Sequence, residues 1–214
     1  MFKRDIDKVN ELHQKYQFKG PLLDAGGLES PTIADYEISK QKAIVVSYVY
    51  DGQKYTVTVP HPMQNDRYTN IKRPWKFIEE NYTILNPEYG DPYIENLPDK
   101  YKNTFNSVIM VSVLEHVDNP FEVCAAVYEI LKPGGYFFNS TPFIFPHHPS
   151  PNDNYRYSPN GLKIVHEKCG FIPVEQDFHV WYGPDDGIGD TNPKSYGAIQ
   201  TVVGSYIFCQ KPWN

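Results

Sequence analysis

The sequence predicts a doubly wound α/β fold, a mostly parallel sheet covered by helices on both faces and carrying an inserted β-hairpin. Short apolar runs alternate with helical stretches along most of the chain. The run Phe105-Asn106-Ser107-Val108-Ile109-Met110-Val111 is almost continuously apolar, as a central strand buried on both faces requires. Two β-rich segments meet at Asp51-Gly52, a strong hairpin turn signal. At 214 residues the whole chain fits one domain.

Residues 4–16 space Ile6, Val9, Leu12 and Tyr16 at helical intervals with charges between them, predicting an amphipathic N-terminal helix. Gly20-Pro21-Leu22-Leu23-Asp24-Ala25-Gly26-Gly27 reads as a buried strand leading into a tight turn. Residues 43–50 and 54–59 form the arms of the hairpin, inserted over about 42–60. Pro74 opens a helix running to Asn81, and Tyr82-Thr83-Ile84-Leu85 follows as a strand. Asp118-Asn119-Pro120 caps a helix that ends at Lys132-Pro133-Gly134-Gly135. Strands are predicted over 136–139, 171–177 and 204–210, with a helix over 158–169 closed by Gly170. In such a sheet, ligands bind beyond the carboxyl ends of the strands.

Composition excludes several classes. The chain is 40 % hydrophobic and 21 % charged, with no apolar run approaching the roughly 20 residues of a membrane span. Its N-terminus turns acidic and polar at once, where a secretory signal needs an apolar core, so a cytoplasmic protein is expected. A net charge of -6 with no Lys or Arg run argues against nucleic acid as partner. Cys124, Cys169 and Cys209 lack the spacing of a zinc site or redox motif and are expected to be buried thiols. No G-x-G-x-x-G follows the first strand, which disfavours a nicotinamide dehydrogenase.

Val113-Leu114-Glu115-His116-Val117-Asp118-Asn119-Pro120, followed by Leu131-Lys132-Pro133-Gly134-Gly135, resembles class I S-adenosylmethionine-dependent methyltransferases of the methyltransferase 11/12 kind. Glu95-Asn96-Leu97-Pro98 matches that family's stretch before the fourth strand. The segment from His148 through Pro149, Asp153, Tyr155-Arg156-Tyr157 and Ser158 resembles bacterial members that modify surface polysaccharides and sugars. The resemblance implies a Rossmann-like sheet of the seven-stranded type, S-adenosylmethionine as donor, no metal, and O-methylation of a sugar or nucleotide-linked sugar in polysaccharide biosynthesis.

On the donor side the resemblance assigns Asp24 and Gly26 to the turn facing the methionyl end, Asn86 to the ribose, Ile94 and Glu95 to the adenine, and Ser112 and His116 to the cleft. Leu28 and Ser30 replace family glycines, and Asn86 replaces the usual acidic residue. A catalytically degenerate binding or scaffolding protein of the same fold is therefore the alternative. On the acceptor side His148 is the expected general base and Asp153 its orienting carboxylate. Tyr155 lies beside them, and Arg156 is expected to bind an acceptor phosphate or carboxylate. A structural Asp153–Arg156 pair pinning the loop is the competing account. His147 has the same chemistry as His148 but no motif match.

Overall fold

The structure, a computed structural model, describes residues 3–18, 20–25, 44–50, 53–59, 82–85, 93–97, 101–149, 152–181 and 201–213. It divides into two units, Met1–Leu28 with Phe77–Asn214, and Glu29–Lys76. In the smaller unit β2 (Ile44–Tyr50) and β3 (Gln53–Val59) pair antiparallel, with Tyr50 opposite Gln53.

The larger unit begins with α1 (Lys3–Tyr16) and β1 (Leu22–Ala25), followed by β4 (Tyr82–Leu85) and a 3-10 turn at Ile94–Asn96. Then come β5 (Phe105–Val111), α2 (Pro120–Ile130), β6 (Leu131–Pro142), α3 (Pro159–Lys168), β7 (Ile172–Trp181) and β8 (Thr201–Gln210). The sheet order is β4-β1-β5-β6-β8-β7, with β8 antiparallel to both its neighbours. Among the described residues this sheet has six strands, not seven. Between β4 and β5 they contribute the 3-10 turn and no strand. The helix expected from Pro74 lies outside the described residues.

Local signals explain the helix limits. Asn119 accepts a hydrogen bond from the Phe121 amide through its side chain, and Pro120 opens α2. Ser158 caps α3 in the same way from the Gly161 amide, with Pro159 next. Gly170 ends α3 at φ 93°, donating to the Glu167 carbonyl. The carbonyl end of α2 is closed by Lys211, whose Nζ donates to the carbonyls of Tyr128 (2.7 Å) and Leu131 (2.8 Å) and to Asn103 Oδ1 (3.1 Å).

Alternation along β6 sends its residues to two cores. Tyr136 stacks with Phe18 and Phe208 on the α1 side. Phe137 meets His166 and Phe171 on the α2/α3 side. Cys124 and Cys209 are buried and free, whereas Cys169 is only partly covered at the end of α3. No helix among the described residues is long and apolar enough to cross a membrane.

His166 is fully buried, its Nδ1 donating to the Leu162 carbonyl at 2.7 Å, and burial pushes its pKa down to about 4. The folded chain thus resists a proton that the unfolded chain accepts near the ordinary histidine pKa of 6.5. Stability is expected to fall as pH drops from about 6.5 to about 4, with His166 accounting for roughly 3 kcal/mol. Urea titrations of wild type and His166→Gln across this window check the effect. An equal pH slope in both proteins refutes it.

Candidate functional site

β1, β4, β5 and β6 run parallel, so their carboxyl ends share one edge of the sheet, with Ala25 opposite both Leu85 and Met110, and Val111 opposite Ser140. Asp24 places a buried carboxylate one residue before the end of β1. The chain leaves β5 sharply at Ser112, which adopts the left-handed φ of 55° and donates its amide to the Ser140 carbonyl. That conformation is uncommon for a residue with a side chain and is held here by its neighbours. Ile94 is buried in the core, and Glu95 beside it is exposed. Gly26 and Asn86 lie outside the described residues.

After Ser112 the motif folds into a turn that buries Glu115 completely. This burial is imposed by a distant segment. The Glu115 carbonyl accepts from the amides of Asn154 (2.7 Å) and Tyr155 (3.2 Å), and Asn154 Nδ2 donates to the Val117 carbonyl (3.1 Å) and to Asp118. The Tyr155 hydroxyl donates to the Asp118 carbonyl at 2.9 Å, and the Tyr157 hydroxyl to the Leu114 carbonyl at 3.4 Å. The turn after β5 and the loop after β6 therefore form one hydrogen-bonded body.

Within it, Glu115 and two histidines converge. His116 Nε2 lies 3.5 Å and His148 Nε2 3.8 Å from Glu115 Oε1, and the two rings meet edge to face at 5.0 Å. His148 Nδ1 is 3.0 Å from the Pro146 carbonyl, and His116 Nδ1 contacts the Asn152 carbonyl. A carbonyl oxygen only accepts, so each Nδ1 carries the proton and each Nε2 of the neutral ring keeps its lone pair. Burial pushes the Glu115 carboxyl up to about 8, its own backbone amide and then the nearby Arg156 charge acting in the opposite sense. No other residue donates a hydrogen bond to either of its oxygens.

Asp153, with its side chain 1 % exposed, stands behind His148. Its Oδ2 accepts the His148 amide at 2.9 Å and lies 3.4 Å from Nδ1, so it supports that ring's orientation. Arg156 grips both Asp153 oxygens, and its donation holds the carboxyl well below the usual range. The guanidinium also reaches the carbonyls of Tyr155 (2.8 Å) and Pro146 (3.4 Å). Arg156 is thus committed to the loop, as in the pinning account, and Tyr155 is committed to the Asp118 carbonyl. His147 is exposed.

The structure brings His116, His148, Asp153, Tyr155 and Arg156 together, and adds Glu115, to which the sequence assigned no role. A Glu-His pair directly after a buried strand was its only local signal. Asp24 and Ser112 stand at the carboxyl ends of β1 and β5, and Ile94 and Glu95 on the 3-10 turn between β4 and β5.

Residues 11–181 match the family described as a methyltransferase domain. The chain belongs to that family. Among curated proteins none matches this methyltransferase-domain chain in sequence. Its fold is similar to that of the Burkholderia thailandensis 1,6-didemethyltoxoflavin-N1-methyltransferase, solved with 1,6-didemethyltoxoflavin and S-adenosylhomocysteine: TM-score 0.54, 12 % identity, covering 97 % of this chain and 78 % of that one. A putative S-adenosylmethionine-dependent methyltransferase from Listeria monocytogenes gives a TM-score of 0.50 at 10 % identity over 96 % of this chain and 98 % of its own. The [4+2]-cyclase SpnF gives 0.51 at 12 % identity over 98 % and 81 %. At these identities the likeness establishes the methyltransferase fold.

Proposed function

We propose that this methyltransferase moves a methyl group from S-adenosylmethionine to an oxygen of a sugar or nucleotide-linked sugar, in surface-polysaccharide biosynthesis. The donor supplies a methyl group on a positively charged sulfur. The residues at and between the strand ends fit such a nucleoside: Asp24 offers a buried carboxylate, Ser112 a hydroxyl on a sharp turn, and Glu95, on the 3-10 turn, an exposed acceptor. One observation carries the reading. A preorganised cluster of Glu115, His116 and His148 stands just beyond β5 and β6, on the edge where the donor binds in this fold.

A sugar hydroxyl is a weak nucleophile until its proton is lost, so this chain must position the oxygen and ease that loss. The Nε2 lone pairs and the buried carboxylate are the groups able to do so. Asp153 and Arg156 fix the loop that presents His148 and are positioning residues.

Saturating S-adenosylhomocysteine is expected to raise the melting temperature, because a ligand of the folded state stabilises it by mass action. A panel of nucleotide-activated sugars with labelled S-adenosylmethionine then tests the acceptor. An unchanged melting temperature and a flat calorimetric trace overturn the donor assignment and favour the scaffolding alternative. Donor binding with label appearing only on nitrogen acceptors overturns the sugar.

A further inference from the structure

We propose that Glu115, His116 and His148 form a binding site for a divalent transition-metal ion, with Glu115 Oε1 and the Nε2 atoms of both histidines as ligands. One ligand atom of each residue lies within 4.8 Å of the others, and the two Nε2 atoms stand 3.5 and 3.8 Å from the carboxylate oxygen. Ligands sharing one ion at about 2.1 Å sit roughly 3.0–4.2 Å apart, so the ion fits with small side-chain adjustments.

Independent observations point to a cation at this focus. Each histidine has its Nδ1 tied to a backbone carbonyl, Pro146 for His148 and Asn152 for His116, which is the outer-shell arrangement that aims an Nε2 lone pair at a metal. Asp153 adds a second acceptor 3.4 Å behind the His148 ring. Glu115 is fully buried, yet no other residue donates a hydrogen bond to either of its oxygens. A buried carboxylate in that condition carries a large desolvation cost, which a bound cation offsets.

Two imidazoles and one carboxylate suit ions such as Zn²⁺ or Mn²⁺ better than the oxygen-seeking Mg²⁺ or Ca²⁺. Three protein ligands leave coordination positions open, and the His148 side chain, 31 % exposed, marks the accessible lip. The consequence for the reaction rests on the proposed function. The acceptor hydroxyl, bound at an open position, has its pKa lowered and gives its proton to water in the cleft. Its oxygen then bonds to the methyl carbon as the carbon–sulfur bond breaks, and the sulfur keeps the electron pair as a neutral thioether. In this scheme His148 is a ligand, the cation is a Lewis acid that lowers the hydroxyl pKa, and water takes the proton.

The test uses the full chain, free of any purification tag and stripped with a chelator. Titration with Zn²⁺ and Mn²⁺ by calorimetry, and metal content after dialysis, should give one ion per chain. Glu115→Gln, His116→Asn and His148→Asn should each weaken binding by tenfold or more, and His147→Asn should leave it unchanged. Co²⁺ loading adds a spectroscopic signature, a visible band that His148→Asn should shift. S-adenosylhomocysteine binding by each sample reports a folded donor side. No binding of either ion by wild type, or equal binding by all the variants, overturns the site. Absence of metal binding by wild type with donor binding intact refutes only this inference, whereas metal binding by wild type without donor binding refutes only the methyltransferase assignment.

Discussion

Replacing His148 by Asn is expected to lower turnover by roughly a hundredfold or more while leaving S-adenosylhomocysteine affinity unchanged. Asn keeps a polar group of similar reach and can still donate to the Pro146 carbonyl, as Nδ1 does. What it removes is the Nε2 lone pair aimed at the Glu115 focus. That lone pair serves the reaction whether it accepts a proton or holds a cation. Donor affinity is spared because His148 lies on the loop after β6, apart from Asp24, Ile94 and Glu95. Asp153→Asn is expected to cost less turnover, since an amide can still accept the His148 backbone amide while its grip on Arg156 weakens. His147→Asn should retain most activity, its side chain standing exposed outside the cluster. Full turnover by His148→Asn, with loss in Tyr155→Phe or Asp153→Asn, makes the histidine structural.

Phe137→Ala is expected to destabilise the fold by about 4 kcal/mol, the range of large-to-small changes at fully buried aromatic positions. Phe137 has no exposed surface and lies between His166 at 5.1 Å and Phe171 at 5.4 Å, ring centre to ring centre. These partners belong to α3 and the entry to β7, neither of which can close on the void without dragging the sheet. Urea unfolding should show a lower midpoint at an unchanged slope. A loss below about 1 kcal/mol means that α3 collapses onto the space and the site is less tightly packed than described.

Much of this architecture was legible in the sequence because its signals are local. β4 and β5 fall on the predicted residues, and for β5 the reason is a near-continuous apolar run, which has few other uses in this fold. α2 and α3 start where Asn119-Pro120 and Ser158-Pro159 place them. β6 was less legible. Pro133-Gly134-Gly135 reads as a stop, yet the strand already begins at Leu131, opposite Phe105, with a register shift before Ser107 pairs with Tyr136. A bulge absorbs the extra residues, and nothing in the glycines announces it.

Glu115 marks where local reading ends. A glutamate beside a histidine looks solvated, and its burial follows only when residues 152–157 fold over the turn. Asp153 and Arg156, three residues apart, were recognisable as a pair, but which task they serve depends on backbone carbonyls that no side-chain pattern predicts.

The sheet order has a consequence for how the chain is made. Among the described residues β7 reaches the rest of the sheet only through β8, which is inserted between β7 and β6. While the chain emerges from the ribosome, β6 therefore presents an open edge, and β7 has no sheet partner, until β8 arrives. Exposed Ile172 and Val174 on β7 add apolar surface to that waiting period. A stalled or shortened product lacking β8 would carry an unpaired strand and an unclosed sheet edge at once, the combination most prone to pairing with a neighbouring copy.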